Sequence, residues 1–223
     1  MKKYSIFILI VIYLYSLFIT GCARPIEVPS TSPAPSEPIP KTEVQIPKAE
    51  EIKGLILLTT FETGEEGWQP FGGGVKISIS EKVARSGKFS LYVEGRSAGW
   101  HGAQIPLKNI LQPGKTYNIS TWIYQESGTD QRMILTMRRK YSTDESTQYN
   151  WIRAQFVPNK KWTEFRGSYS IPSGAIIEDL ALYIEAPDNA NLTFYIDDLV
   201  ITEKGSSFKL NPELLTLISK YIK

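Results

Sequence analysis

Lys88-Phe89-Ser90-Leu91-Tyr92-Val93-Glu94, followed at once by Gly95-Arg96-Ser97-Ala98-Gly99-Trp100-His101-Gly102, is the stretch whose reading decides the fold. Phe89, Leu91 and Val93 alternate with Ser90, Tyr92 and Glu94, the two-residue period of a strand buried on one face. A glycine-rich loop then ends the strand and carries an indole. Trp100 is there either a flat platform on which sugars or other rings stack, or a cap folded back over the core. Short runs of the same kind recur at 75–80, 117–124, 133–139, 152–157, 164–171, 181–185 and 193–201. Turn residues separate them, among them Gly72-Gly73-Gly74, Pro113-Gly114, Pro158-Asn159, Pro172-Ser173-Gly174 and Pro187-Asp188-Asn189. No amphipathic helix of useful length interrupts the series. Regular short strands with such turns predict an all-β antiparallel sandwich rather than a parallel α/β sheet. Its expected core holds Phe61, Ile77, Ile79, Phe89, Leu91, Val93, Ile119, Leu135, Phe156, Leu182, Ile184, Phe194 and Ile196.

With 223 residues, 42% of them hydrophobic, the chain can bury a real core and still carry extensions. Of its 25 basic residues, Lys2 and Lys3 lie in a segment expected to be removed, which leaves 23 against 23 acidic ones. That balance argues against a nucleic-acid partner. One cysteine and one histidine leave no intramolecular disulfide, no cysteine-rich zinc site and little for a histidine-based centre. Binding chemistry falls to aromatics, carboxylates, amides and backbone.

The two ends read differently from the middle. Lys2 and Lys3, an apolar run over 6–19 and Ile19-Thr20-Gly21-Cys22 form a secretion signal, expected to span 1–21. The small residues before the cysteine resemble the lipobox of bacterial lipoproteins, in which Cys22 is diacylated and becomes the first mature residue; the alternative is an uncleaved anchor. Either places the remainder outside the cytoplasm, on the membrane at the cell surface. Over 22–51 lie seven of the fourteen prolines among Ser, Thr, Glu and Lys, the composition of a semi-rigid, disordered tether. The sandwich is expected over 52–205. In 206–223, Asn211 and Pro212 start a helix whose Leu214, Leu215, Ile218, Tyr221 and Ile222 share one face, to dock on the sandwich or to meet a partner protein.

Within the sandwich, Leu182-Tyr183-Ile184-Glu185 is the clearest site signal. If Leu182 and Ile184 point into the core, Tyr183 and Glu185 go together to the opposite face. A ring can cover the apolar C–H face of a pyranose while a carboxylate accepts hydrogen bonds from two hydroxyls. Tyr149 and Trp151 add aromatics at the start of another strand, where one is expected in the core and the other outside.

Phe61-Glu62, Gly67-Trp68, Ala84-Arg85-Ser86-Gly87-Lys88-Phe89-Ser90-Leu91, Trp100-His101-Gly102, Leu111-Gln112-Pro113-Gly114-Lys115-Thr116-Tyr117, Trp122-Ile123-Tyr124-Gln125, Leu182 to Ala186 and Phe194-Tyr195-Ile196-Asp197-Asp198 together resemble carbohydrate-binding module family 22, the xylan-binding modules often attached to family 10 xylanases. Parts of the pattern are shared with families 4 and 9. The resemblance covers roughly 57–203 and implies a jelly-roll sandwich, related to galactose-binding domains, with an open cleft for the middle of a polysaccharide chain. It implies that Trp100 is an aromatic platform, Tyr149 a second ring in the cleft, and Tyr183 with Glu185 the stacking and hydroxyl-binding pair. Where the family pattern commonly has an arginine, this chain has Phe71, so a donor fork is replaced by a ring that can stack. The resemblance further implies a structural calcium ion, held by Glu62 and Asp198 with backbone oxygens of the Ser86-Gly87-Lys88 turn.

The expected function is therefore non-catalytic binding of a β-linked polysaccharide, xylan first and mixed-linkage β-glucan second, by a lipid-anchored protein. An assembly role through the C-terminal helix is the alternative. A small glycosidase would need Glu185 to face a second carboxylate such as Glu164 or Glu94 at ~5–5.5 Å or ~6.5–9.5 Å. His101 reads as loop scaffold.

Overall fold

The computed structural model describes residues 54–206, so the expected signal segment, Cys22, the tether and the C-terminal helix lie outside the described residues. Eleven strands form two antiparallel sheets, with no helix among the described residues. The six-stranded sheet runs in the order β3(Lys76–Ser80), β4(Ser90–Glu94), β11(Phe194–Glu203), β6(Thr116–Tyr124) and β9(Thr163–Ser170). β1(Leu55–Thr59) completes it by pairing with the second half of β11, beyond the stretch that β4 occupies. The five-stranded sheet runs β2(Gln69–Phe71), β5(Gly102–Pro106), β10(Ile177–Glu185), β7(Gln131–Tyr141) and β8(Gln148–Val157).

The core lies between the sheets and follows the alternation. Leu91 and Val93 of β4, Ile119 and Ile123 of β6, Met133, Leu135 and Met137 of β7, and Leu182 and Ile184 of β10 are all buried in it. Ile77, Ile79 and Phe89 pack against its margin, half-buried. Of the expected core only Phe156 is contradicted, being 62% exposed. Its face is set by a bulge: the β7–β8 register shifts between Leu135 and Thr136, and the extra residue turns everything after it on β8 to the other side. Ile152, the extra residue itself, packs on the core, whereas Phe156 beyond it stands opposite Arg132 on the outer face. Tyr149 and Trp151 also correct the expectation: two residues apart on an unbroken stretch, they share the outer face, and both are exposed.

β1, β2 and β5 were not among the predicted runs. β1 is a continuous apolar run, β2 is three residues with a central proline, and β5 opens on glycine and closes on proline. None alternates long enough to carry the period. The Gly95 to Gly102 segment is glycine-rich for a reason of packing. A Cβ on Gly99 would stand 2.5 Å from the carbonyl oxygen of Pro187, and one on Gly102 would stand 1.8 Å from that of Ile184. Only glycine lets β5 and the loop before it lie so close to β10 and the turn that follows it.

Candidate functional site: an aromatic face on the five-stranded sheet

Antiparallel register sets the outward residues of the five strands in rows. Gln69, Gln104, Tyr183, Thr136 and Trp151 form one, and Phe71, Gly102, Glu185, Ile134 and Ala154 form the next. Along this face runs an unbroken series of rings. Trp100 meets Phe71 edge-on at 5.5 Å between centroids, Phe71 meets Tyr183 at 4.8 Å, and Tyr183 meets Tyr149 edge-on at 6.2 Å. Four of the five predicted saccharide-binding residues are thus rings joined in sequence, and the fifth, Glu185, lies beside Tyr183 under them.

Their exposure divides the roles. Trp100 and Tyr149 are each 53% exposed and present ring surface to solvent. Tyr183 is only 3% exposed and Glu185 7%, so both form the floor of the face rather than free platforms. Thr136 Oγ1–H donates to Glu185 Oε1 at 3.0 Å. Burial pushes the Glu185 carboxyl above its ordinary value, opposed by the hydroxyls of Thr136 and Tyr183 and by the charges of Arg96 and Arg132. Burial likewise pushes the Tyr183 hydroxyl well above its usual range, with the Glu185 charge adding to the shift.

The loop that carries Trp100 is held by Arg96, a residue absent from the predicted set. Arg96 is buried, and its guanidinium spends its donors on backbone carbonyls: Nε–H on His101 at 2.7 Å, Nη1 on Asn189 at 2.8 Å and Leu192 at 3.1 Å, Nη2 on Gly99 at 2.9 Å and Ala186 at 3.0 Å. It thereby ties the Trp100 loop to the turn after β10. Burial lowers the guanidinium to about 10, against the attraction of Glu185, so it stays charged at neutral pH. The signal in the sequence was slight, a single arginine after glycine in a loop. His101 is buried too, with its ring edge-on to Trp100 at 4.3 Å and in the space a Cβ on Gly72 would need, which agrees with a scaffold role.

Phe71 does not leave the face without a guanidinium. Arg138 of β7 reaches across to within 4.9 Å of the Phe71 ring, donating to Asp179 through Nε at 2.8 Å and Nη2 at 3.2 Å and to Gln104 Oε1 at 2.8 Å. A guanidinium from another strand thus stands beside position 71, with its donors committed to Asp179 and Gln104.

Of the residues named for a metal, Asp198 lies on β11 of the other sheet, Glu62 in the turn after β1 and Lys88 just before β4. β11 breaks its pairing with β6 between Asp197 and Val200, and Asp198 takes a positive φ of 48°. Asp198 accepts from Ser86 Oγ at 2.7 Å and Arg85 Nη1 at 2.9 Å. Asp197 accepts from the amides of Arg85, Ser86 and Asp198. Glu62 Oε1 accepts the amides of Lys88 at 2.8 Å and Phe89 at 2.9 Å, and a Cβ on Gly87 would stand 2.3 Å from it. The turn therefore wraps the Glu62 carboxylate through its N–H groups, where the expectation named its oxygens. Burial raises both aspartates, Asp197 also through Asp198 beside it, and Asp198 also through Glu62. Among the described residues no three acidic, histidine or cysteine side chains converge as a metal cage. The hard oxygens of Glu62 and of the buried Asp198 nonetheless suit calcium in type.

Glu94 and Glu164, the partners a glycosidase would need, belong to β4 and β9 of the six-stranded sheet, whereas Glu185 faces outward from the five-stranded one. Glu164 is engaged by Arg166.

A two-sheet sandwich with a buried carboxylate under a chain of rings is an arrangement chemically suited to stacking against flat, hydroxylated units and hydrogen-bonding them. Residues 53–191 match the model of the family described as carbohydrate binding domain, and the chain belongs to that family. It is 50% identical over 178 residues to an endo-1,4-beta-xylanase A of Thermotoga neapolitana, covering 78% of this chain and 17% of that protein. The chain spans about a sixth of the length of the curated relatives it matches first. Among solved structures, the CBM22-1 xylan-binding domain from Paenibacillus barcinonensis Xyn10C is 29% identical with a TM-score of 0.61, covering 67% of this chain and 94% of that one. The C-terminal family 22 module of Clostridium thermocellum Xyn10B is 26% identical with a TM-score of 0.63, covering 73% and 99%.

Proposed function

We propose that this chain is a non-catalytic module of family 22 type that binds a xylan-like β-linked polysaccharide across the outer face of its five-stranded sheet. The observation that carries the reading is the ring series Trp100, Phe71, Tyr183 and Tyr149 laid over Glu185. Exposed rings at both ends take pyranose faces, and the buried carboxylate accepts hydroxyls in a site where the bond is worth more than in water. Native gels containing xylan, mixed-linkage β-glucan or neither test it: retardation by xylan is expected, with β-glucan second, and free migration in every gel ends the reading.

The state of Glu185 gives a pH dependence. As acceptor for two hydroxyls it must be ionised, so binding weakens as pH falls through a value above the ordinary ~4.3 of a glutamate. Its effect on stability has the opposite sign. A raised carboxyl is favoured by folding in its neutral form, so that contribution is full at low pH and is lost as pH rises through the folded value. Acid loss of binding without loss of fold is therefore expected in titrations followed by melting curves, and Glu185→Gln should flatten the binding profile; an equally steep profile in that variant would clear Glu185 of the role.

We propose two further features on the same footing. Calcium held by Glu62 and Asp198 near the Ser86-Gly87-Lys88 turn would tie the start of the sandwich to β11. It would stabilise the fold by about 2.7 kcal/mol at a hundredfold excess over its dissociation constant. Chelation by EGTA should then lower the melting temperature and added calcium restore it, and indifference to both removes the ion. Acylation at Cys22, supported by Ile19-Thr20-Gly21-Cys22, would place the module at the cell surface on its proline-rich tether, with residues 206–223 available to a partner protein.

A further inference from the structure

Four aromatic side chains stand more than half exposed among the described residues, and all four are on or beside the same sheet. Trp100 and Tyr149 belong to the ring series. Trp151, 61% exposed, and Phe156, 62%, do not. Trp151 occupies the row of Tyr183 and Thr136, two strands along from Tyr183 and so about 10 Å away. Phe156 follows on the same outer side of β8, opposite Arg132. The guanidinium of Arg132 lies 5.4 Å from the Trp151 ring centroid; among the described residues it pairs with the exposed Asp188 at 3.7 Å, and its charge also acts on Glu185. Arg138, by contrast, is held by a two-pronged pair with Asp179 and a third bond to Gln104. The β8 end of the face thus combines two open rings with an arginine available to an anion.

We infer that Trp151, Phe156 and Arg132 form a further subsite, continuous with the ring series, that takes a carboxylate-bearing sugar unit of the same polysaccharide chain. This rests on the binding reading above. The rings supply stacking for a pyranose beyond Tyr149, and the planar guanidinium offers paired donors to a uronate. Continuity and charge favour this occupant over a second copy of the chain, for which an exposed apolar edge strand is the usual alternative.

The test compares full-length protein with Trp151→Ala and Arg132→Gln on three probes: glucuronoxylan, the same polymer with its uronic acids reduced, and xylotriose. Because Trp151 packs little, both variants should keep the wild-type melting temperature. Trp151→Ala is expected to bind both polymers about five- to tenfold more weakly and xylotriose unchanged. Arg132→Gln is expected to lose about fivefold on glucuronoxylan alone, and with it the salt sensitivity of that binding. Wild-type affinity for glucuronoxylan in both variants overturns the subsite while leaving the binding function intact. Equal loss on acidic and reduced polymer in Arg132→Gln overturns the carboxylate assignment. Concentration-dependent sedimentation that Trp151→Ala abolishes reassigns the strip as a self-association surface, and a wild type that binds none of the three removes both readings.

Discussion

An Arg96→Met variant is expected to unfold with a free energy lower by on the order of 3 kcal/mol, which for a domain of this size is about 6–12 °C in melting temperature. Arg96 contacts no predicted ligand, so the effect is one of architecture. Methionine fills a similar volume but leaves the carbonyls of His101, Gly99, Ala186, Asn189 and Leu192 without the donor that now serves them. Water cannot easily replace it, since the guanidinium is buried. The same change frees the Trp100 loop from the turn after β10, so binding should fall along with stability. Arg96→Lys restores the charge but not the fork, and should recover only part of either. Denaturant titration of the three proteins gives the comparison; a midpoint unchanged in Arg96→Met would mean the carbonyls find other partners.

Trp100→Ala is expected to abolish retardation in xylan gels while leaving the melting temperature close to that of the parent. The ring is half exposed and its neighbours, Phe71 and His101, hold their places through other contacts, so truncation removes ligand surface more than packing. Tyr183→Ala should abolish binding as well, but at a cost in stability, because Tyr183 is buried between Phe71 and Tyr149. The two variants therefore separate a platform from a floor. Unchanged retardation in both would move the ligand off this face.

Much of the face was legible before the fold. Leu182-Tyr183-Ile184-Glu185 places its ring and carboxylate on one side by period alone, and β10 obeys. Burial of that pair was not legible, because it depends on Phe71, from a three-residue strand too short to show a pattern, closing over Tyr183. Arg138 beside Phe71 is a meeting of β7 and β2, which are not even neighbours in the sheet. Phe156 was misplaced for a different reason. Alternation carries a residue's face only while the register is unbroken, and a single extra residue in β8 reverses it.

What the sequence by itself determined is the class of fold and the chemical cast. Strand period, turn residues and the identity of the aromatics and of Glu185 are local properties, and they survive whatever the chain does elsewhere. Tertiary structure alone decided which rings touch, which of them water reaches, and that the Gly95 to Gly102 loop is fixed by a buried arginine. Those depend on close approach between distant segments, such as the carbonyls of Pro187 and Ile184 against Gly99 and Gly102, and no periodicity within one strand encodes a contact made with another.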